Sequence, residues 1–184
     1  MNRPTRALRT LAGANWPPPD GERDLPPLPG FTASTFNPLV AAVAELCLTR
    51  HRDATLGTAV GGPDSTPAGR TGLLLASAGG DRATALAIDT AAASGRRMPP
   101  LLFFQSNPNA VLGHVAARWE LTGPVVAISP REAAAPGEVP PDALELAALM
   151  LADGDADQVL VIAAEQAVRD GEGDHGTAVL VTSA

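Results

Sequence analysis

Short apolar runs alternate with helix-like segments over most of the chain. Apolar runs bounded by glycine, proline or polar residues predict strands at residues 72–77, 125–129, 159–163 and 178–182. Apolar residues at helical spacing predict helices at residues 39–50, 81–94, 110–119 and 142–153. Residues 101–104 fit either element. This succession predicts an α/β fold with one mixed, mostly parallel sheet of about five strands and helices on both faces.

The first 37 residues have a different pattern. They are rich in proline, which lacks the amide hydrogen that a helix interior or a central strand requires. We therefore predict a proline-rich arm at residues 1–37, with a possible first strand at residues 7–13, and a domain at residues 38–184. A flexible leader is the alternative interpretation of the arm. Residues 53–70 are predicted to form a loop, and residues 170–176 a charged turn.

The predicted helix at residues 142–153 is unusually apolar. Asp142 is its predicted cap, the helix closes near Gly154, and between its terminal aspartates only Glu145 is polar. A helix that is apolar on nearly every side must be covered on nearly every side. One sheet covers one side, so we expect a partner protein to cover another.

Composition narrows the classes of function. The net charge is −7, the 13 basic residues are all arginine, and aromatic residues make up 3% of the chain. These features disfavour nucleic acid as a partner, and the absence of lysine excludes a Schiff base or a Walker lysine. No apolar run spans a bilayer and no secretory signal core is present, so we expect a cytoplasmic protein without membrane contact.

Several short motifs carry little chemistry. Ala78-Gly79-Gly80-Asp81 occupies the position of a phosphate-binding turn but lacks the full glycine pattern, so its glycines are interpreted as turn residues. Cys47, the single cysteine, is interpreted as a small buried hydrophobe. Asp153, Asp155 and Asp157 lack the other ligands of a calcium loop. We therefore expect neither a metal nor a cofactor.

One stretch resembles a known family. The segments FFQSNPN at 103–109, AVLGH at 110–114, GPVVAIS at 123–129, GDAD at 154–157 and VLVIAAE at 159–165 resemble the β-ketoacyl synthase family in residue type, order and spacing. The resemblance extends over residues 38–184. It implies half of a thiolase-type fold, which stacks two similar halves as αβαβα, and an acyl-carrier-protein substrate.

The sequence departs from that family where the chemistry begins. The family's nucleophilic cysteine lies eight residues after the Gly-Pro proline, which corresponds to Glu132 here; counting back from Gly154 points nearer Gly137. Neither is a cysteine. The chain matches the family's first half, whereas the family's two catalytic histidines belong to its second half. Condensing activity is therefore not expected from this chain alone.

Three hypotheses follow. The first is a non-catalytic ketosynthase-like subunit of type II polyketide or fatty-acid synthesis, resembling a chain-length factor or a stabilising partner. It would pair with a ketosynthase, a chain-length-factor-like protein or a second copy, and possibly with acyl carrier protein. Its candidate residues for an interface or an acyl tunnel are Phe103, Phe104, Asn107, Asn109 and Leu112, although core packing explains the phenylalanines equally well.

The other two hypotheses use the same scaffold differently. One is an acyl-carrier-protein-directed hydrolase, isomerase or dehydratase in which Glu132 or His114 acts as the general base. The other is a small-molecule binding module.

Overall fold

Five strands form one mixed sheet. The computed structural model describes residues 7–20, 24–58, 69–95, 97, 100–167 and 172–184. The strands are β1 (Leu8–Trp16), β2 (Thr71–Ala76), β3 (Val125–Ile128), β4 (Gln158–Glu165) and β5 (His175–Ser183). Their order across the sheet is β1-β5-β4-β2-β3. Because β5 is antiparallel to both of its neighbours, the other four strands run in one direction. The prediction of a mixed, mostly parallel sheet is confirmed.

Helices cover both faces of the sheet. They are α1 (Phe36–Thr58), α2 (Arg82–Ala93), α3 (Pro100–Gln105), α4 (Pro108–Trp119) and α5 (Pro141–Ala152). Helices α1 and α4 pack together in one hydrophobic cluster. Helix α5 packs in a second cluster, against β2, β4 and β5.

Alternation along the central strands separates the two clusters. Leu73 and Leu75 of β2 belong to the cluster of α1 and α4, whereas Leu74 and Ala76 belong to the cluster of α5. All of β2 is buried, and β4 is buried beyond Gln158. Since both faces of these strands are covered, their sequences are continuous apolar runs.

The element boundaries correct several predictions. Residues 53–58 continue helix α1 and are not a loop. The ambiguous residues 101–104 are helical, in α3. His175 and Gly176 open β5 and do not belong to a turn. Residues 170–171 of the predicted turn and residues 59–68 of the predicted loop lie outside the described residues. Strand β1 lies at the sheet edge; the domain boundary at residue 37 remains a prediction.

The predicted cap of α5 is also wrong. Pro140 occupies the N-cap position without a side-chain hydrogen bond, and Pro141 opens the first turn. A proline is suited to this position because the first helical amide has no partner within the helix. Asp142 instead lies inside the first turn, where its Oδ2 accepts a 3.4 Å hydrogen bond from the amide of Arg131.

Candidate functional site

The carboxyl ends of β2, β3 and β4 meet at one edge of the sheet. Because these strands are parallel, the turns that follow them lie side by side, which is where open α/β sheets commonly form binding crevices. A cleft of about 350 Å³ occupies this edge. Phe36, Leu75, Pro108 and Ile128 are among its apolar lining residues. The polar residues of its lining include Asn37, Ser77, Asp81, Gln105, Ser106 and Ser129.

A buried glutamate joins two of these strand ends. Glu165, the last residue of β4, is 6% exposed. Its carboxylate accepts hydrogen bonds from the amides of Ala78 (2.7 Å) and Gly79 (3.1 Å) and from Ser77 Oγ (3.4 Å). The amide of Gly80 donates to Ser77 Oγ at 2.9 Å. The amide hydrogens that a phosphate would need in this turn are therefore already bonded within the chain, which agrees with the interpretation of the glycines as turn residues.

A second buried polar group ties α1 to α3. The Nδ2 of Asn37 donates to the carbonyl of Gln105 at 3.1 Å and to Oδ2 of Asp81 at 3.3 Å. Asp81 also caps α2, because its Oδ1 accepts from the amide of Thr84 at 3.0 Å. Asn37 is 2% exposed, and its Oδ1 has no hydrogen-bond partner among the described residues. Sequence reasoning missed Asn37, Gln105 and Glu165; a polar residue within or directly after an apolar element is the signal that could have found them.

The loop before α5 carries no thiol. Glu132 is exposed on this loop, and Gly137 lies in a turn closed by a 2.9 Å hydrogen bond from the amide of Glu138 to the carbonyl of Ala135. His175 Nε2 contacts the carbonyl of Ala134 at 2.9 Å and so links the loop to β5. A shallow depression of about 370 Å³ lies along the loop. Both positions expected for the family's nucleophile are on this loop, and neither holds a nucleophilic sulfur.

Cys47 lies elsewhere. It is fully buried in the cluster of α1 and α4, on the sheet face opposite α5. Burial raises the pKa of its thiol to about 11. Its interpretation as a small buried hydrophobe is confirmed, and it cannot substitute for a thiolate at the start of α5.

The two candidate general bases are far apart in the fold. His114 is half-buried on α4, where its ring meets Phe31 edge-on with centroids 6.2 Å apart. It lines a groove that also contains Glu45 and Trp119. Glu132 lies on the loop before α5, and α5 packs on the face of the sheet opposite α4. The structure therefore does not bring Glu132 and His114 together as an acid–base pair.

Glu45 has a structural role in the groove of His114. Arg118 donates two hydrogen bonds to its carboxylate, at 2.9 and 3.1 Å, and Trp119 Nε1 donates a third at 2.9 Å. The hydrogen bonds from Arg118, with a smaller contribution from Trp119, lower the pKa of Glu45. This network fixes α4 against α1 and keeps the carboxylate ionised.

Among the described residues there is no group of three side chains suited to holding a metal.

The five candidate interface residues divide into two groups. Phe103 is 69% and Phe104 is 54% exposed on α3. Asn107 and Asn109 are also exposed, and Asn107 caps α4 by accepting a 3.0 Å hydrogen bond from the amide of Asn109. Leu112, in contrast, is fully buried in the core between α1 and α4. Within this chain Leu112 therefore contributes to packing and is absent from the surface.

Two further surfaces are apolar. Leu149 of α5 is 53% exposed on the side of the helix that faces away from the sheet. Strand β3 lies at the end of the sheet order, so its outer edge pairs with no other described strand. Unpaired strand edges and exposed apolar patches are features of protein–protein contacts.

No helix of the described residues is long and apolar enough to cross a bilayer.

Comparison with known proteins identifies the fold. No protein-family model and no curated protein matches the sequence. Solved structures do match, at low identity. The ketosynthase ApeO with its chain length factor ApeC from Xenorhabdus doucetiae matches at a TM-score of 0.60 and 16% identity, over 88% of this chain and 63% of that chain.

Two further structures agree. The ishigamide ketosynthase/chain length factor matches at a TM-score of 0.62 and 19% identity, over 90% of this chain and 49% of that one. A β-ketoacyl synthase from Burkholderia phymatum matches at a TM-score of 0.61 and 21% identity, over 91% of this chain and 47% of that one. The chain therefore has the thiolase-like fold of ketosynthases and spans about half to three-fifths of the length of these structures. The predicted resemblance and fold class are confirmed.

Proposed function

We propose that the chain is a non-catalytic, ketosynthase-like subunit. It pairs with a ketosynthase or a chain-length-factor-like protein of type II polyketide or fatty-acid synthesis, and it contributes surface rather than chemistry. The observation that carries the proposal is the loop before α5, where both positions expected for the nucleophile lack a thiol while Cys47 is buried on the other face of the sheet.

The absence of a thiol has a direct chemical consequence. Acyl transfer in ketosynthases needs a recyclable thioester, which forms on a thiolate whose pKa is lowered at a helix N-terminus. Glu132 is a much weaker nucleophile, and a thiol with a pKa near 11 holds almost no thiolate at neutral pH. We therefore place the acyl group on a partner ketosynthase, which makes pairing part of the proposed function.

The exposed apolar surfaces support pairing. Phe103 and Phe104 are exposed on α3, and Leu149 is exposed on α5. The outer edge of β3 pairs with none of the other described strands. Aromatic residues at the centre of a contact contribute disproportionately to binding. Ketosynthase/chain length factor pairs are also among the structures that share the fold.

Reconstitution tests the proposal. A ketosynthase from the same organism is assayed for condensation with its acyl carrier protein, with and without this chain, and every protein is weighed by intact mass spectrometry. We expect the chain to increase product formation while acquiring no acyl group. The Cys47→Ala variant is the control and should act like the unmodified chain.

Two results would contradict the proposal. One is covalent acylation of this chain by acyl carrier protein. The other is a ketosynthase whose products are the same with and without the chain. Thioester hydrolysis by the chain alone that disappears in Glu132→Gln would establish the hydrolase hypothesis in its place.

A further inference from the structure

The cleft at the carboxyl ends of β2 and β3 has an unusual polarity. A strand followed by a glycine turn and a helix normally offers free amide hydrogens, which attract anions. Here the amides of Ala78 and Gly79 donate to Glu165, the amide of Gly80 donates to Ser77, and Asp81 caps α2. The chain's own side chains therefore occupy the donors.

Two hydrogen-bond acceptors lie at the cleft, one buried on Asn37 and one on the half-buried Asp81. Asn37 is 2% exposed, and its orientation is fixed because Nδ2 donates to two oxygens, on Gln105 and Asp81. Its Oδ1 is left without a partner among the described residues, which is a costly state for a buried amide oxygen. Asp81 adds a carboxylate in which each oxygen accepts one of these hydrogen bonds and retains further accepting capacity.

The rest of the lining fits a ligand with an apolar body. Phe36, Leu75, Ala127 and Ile128 contribute hydrocarbon surface, and the described residues that line the cleft include no arginine or histidine. An anionic ligand would face the Asp81 carboxylate, whereas a cation would be attracted to it. The Arg82 side chain packs beside Gly79 at the margin of the cleft and is not among its lining residues. A volume of about 350 Å³ is suitable for a small molecule.

We propose that this cleft binds a small molecule with an apolar body and a hydrogen-bond-donating head, a protonated primary amine in particular. The ammonium group lies by Asp81, and the hydrocarbon part lies along Ala127 and Ile128, which are half-buried, whereas Asn37 and Phe36 are almost fully buried behind them. This site is separate from the proposed pairing with a ketosynthase and does not depend on it.

Three probes with the same six-carbon body test the chemistry of the head group. Hexylammonium, hexan-1-ol and hexanoate are titrated into the full chain at pH 7 by isothermal titration calorimetry. We expect hexylammonium to bind about tenfold more tightly than hexan-1-ol, which corresponds to one additional charge interaction in a partly buried site. Hexanoate should bind most weakly because its carboxylate faces Asp81.

A matched pair of variants tests the location. Asp81→Asn removes the charge but keeps a good helix cap, so α2 should remain intact. Asp89→Asn removes the same charge from an exposed position on α2, outside the cleft lining. We expect Asp81→Asn to weaken hexylammonium binding about tenfold. Asp89→Asn should bind hexylammonium about as tightly as the unmodified chain does. Asn37 is unsuitable for this test, because its loss also breaks the link between α1 and α3.

Three results would overturn the inference: hexanoate binding as tightly as hexylammonium, no saturable binding of hexylammonium, or equal effects of the two variants. Binding is measured on the chain alone, so none of these results changes the outcome expected in the reconstitution assay with a ketosynthase. Conversely, a failure of that assay leaves this binding test unaffected.

Discussion

At the scale of single residues, Gly123 shows how closely the turn before β3 approaches β2. Its amide donates a 3.1 Å hydrogen bond to the carbonyl of Thr71, and a Cβ atom at Gly123 would lie 2.5 Å from backbone atoms of Thr71 and Gly72. Backbone atoms of a central strand cannot move aside as a flexible side chain can. The Gly-Pro pair of the family resemblance therefore has a steric basis at its glycine.

We predict that Gly123→Ala lowers the free energy of unfolding by about 3 kcal/mol, since it overpacks a rigid contact. Gly113→Ala is the matched control: Gly113 is exposed on helix α4, and an added Cβ there would meet nothing within 4 Å. This control should be neutral or stabilising by up to about 1 kcal/mol, because alanine favours a helix. Urea denaturation measures both, and equal effects of the two changes would contradict the steric explanation.

Cys47 provides a chemical prediction. With a pKa of about 11, its thiol holds roughly one thiolate per thousand molecules at pH 8, and burial blocks access to it. A disulfide reagent such as 5,5′-dithiobis(2-nitrobenzoate) should therefore leave the folded chain unmodified over minutes and label one thiol at once in denaturant. Fast, stoichiometric labelling of the folded chain would contradict the burial and low reactivity of Cys47.

Residues differ in how far their roles follow from the sequence. The burial of Cys47 follows from the apolar helix around it. The roles of Glu165 and Asn37 do not follow from the sequence, because each depends on a contact with a residue far away in the chain. Glu165 and Gly79 are 86 residues apart, and Asn37 and Asp81 are 44 residues apart. Glu132 and His114 each suit acid–base chemistry by residue type, but only the fold shows that they lie apart.

At the scale of elements, hydrophobic periodicity predicted the central strands and the long helices, since both faces of the sheet demand apolar side chains. It failed at the ends. Helix α1 extends to Thr58, and residues 53–56 in this extension are exposed, so no buried face sets a periodic signal there. At the start of α5, Pro140 occupies the N-cap position that the sequence analysis predicts for Asp142. Helix α3 was ambiguous because six residues are too short to distinguish the two periods.

Helix α3 carries a prediction that separates surface from core. Phe103→Ser should leave the free energy of unfolding within about 0.5 kcal/mol, because the side chain is 69% exposed. It should also weaken association with the ketosynthase partner about tenfold or more, if Phe103 lies in the contact.

Leu112→Ala is the contrasting change. It removes a fully buried side chain and should cost about 2–5 kcal/mol of stability. Thermal melting and a binding titration on both variants distinguish these roles. If Phe103→Ser binds the partner as tightly as the unmodified chain, the α3 surface lies outside the contact.

At the scale of the whole molecule, the layers explain why a partner is expected. Helices α1 and α4 cover one face of the sheet, and among the described residues α5 covers the other in a single layer with Leu149 exposed. The structures that share the fold are longer than this chain, which covers 63%, 49% and 47% of them. The apolar sequence of α5 predicted a partner; the structure buries most of its apolar side chains within the chain and leaves Leu149 exposed, so the partner stays a proposal.

Native mass spectrometry tests the central proposal most directly. The chain is mixed with a ketosynthase of its own organism and an acyl-loaded carrier protein, and the complexes are weighed before and after dissociation. The account predicts a complex containing both proteins in which the acyl group is found only on the ketosynthase. A chain that remains unbound, or that carries the acyl group itself, would contradict it.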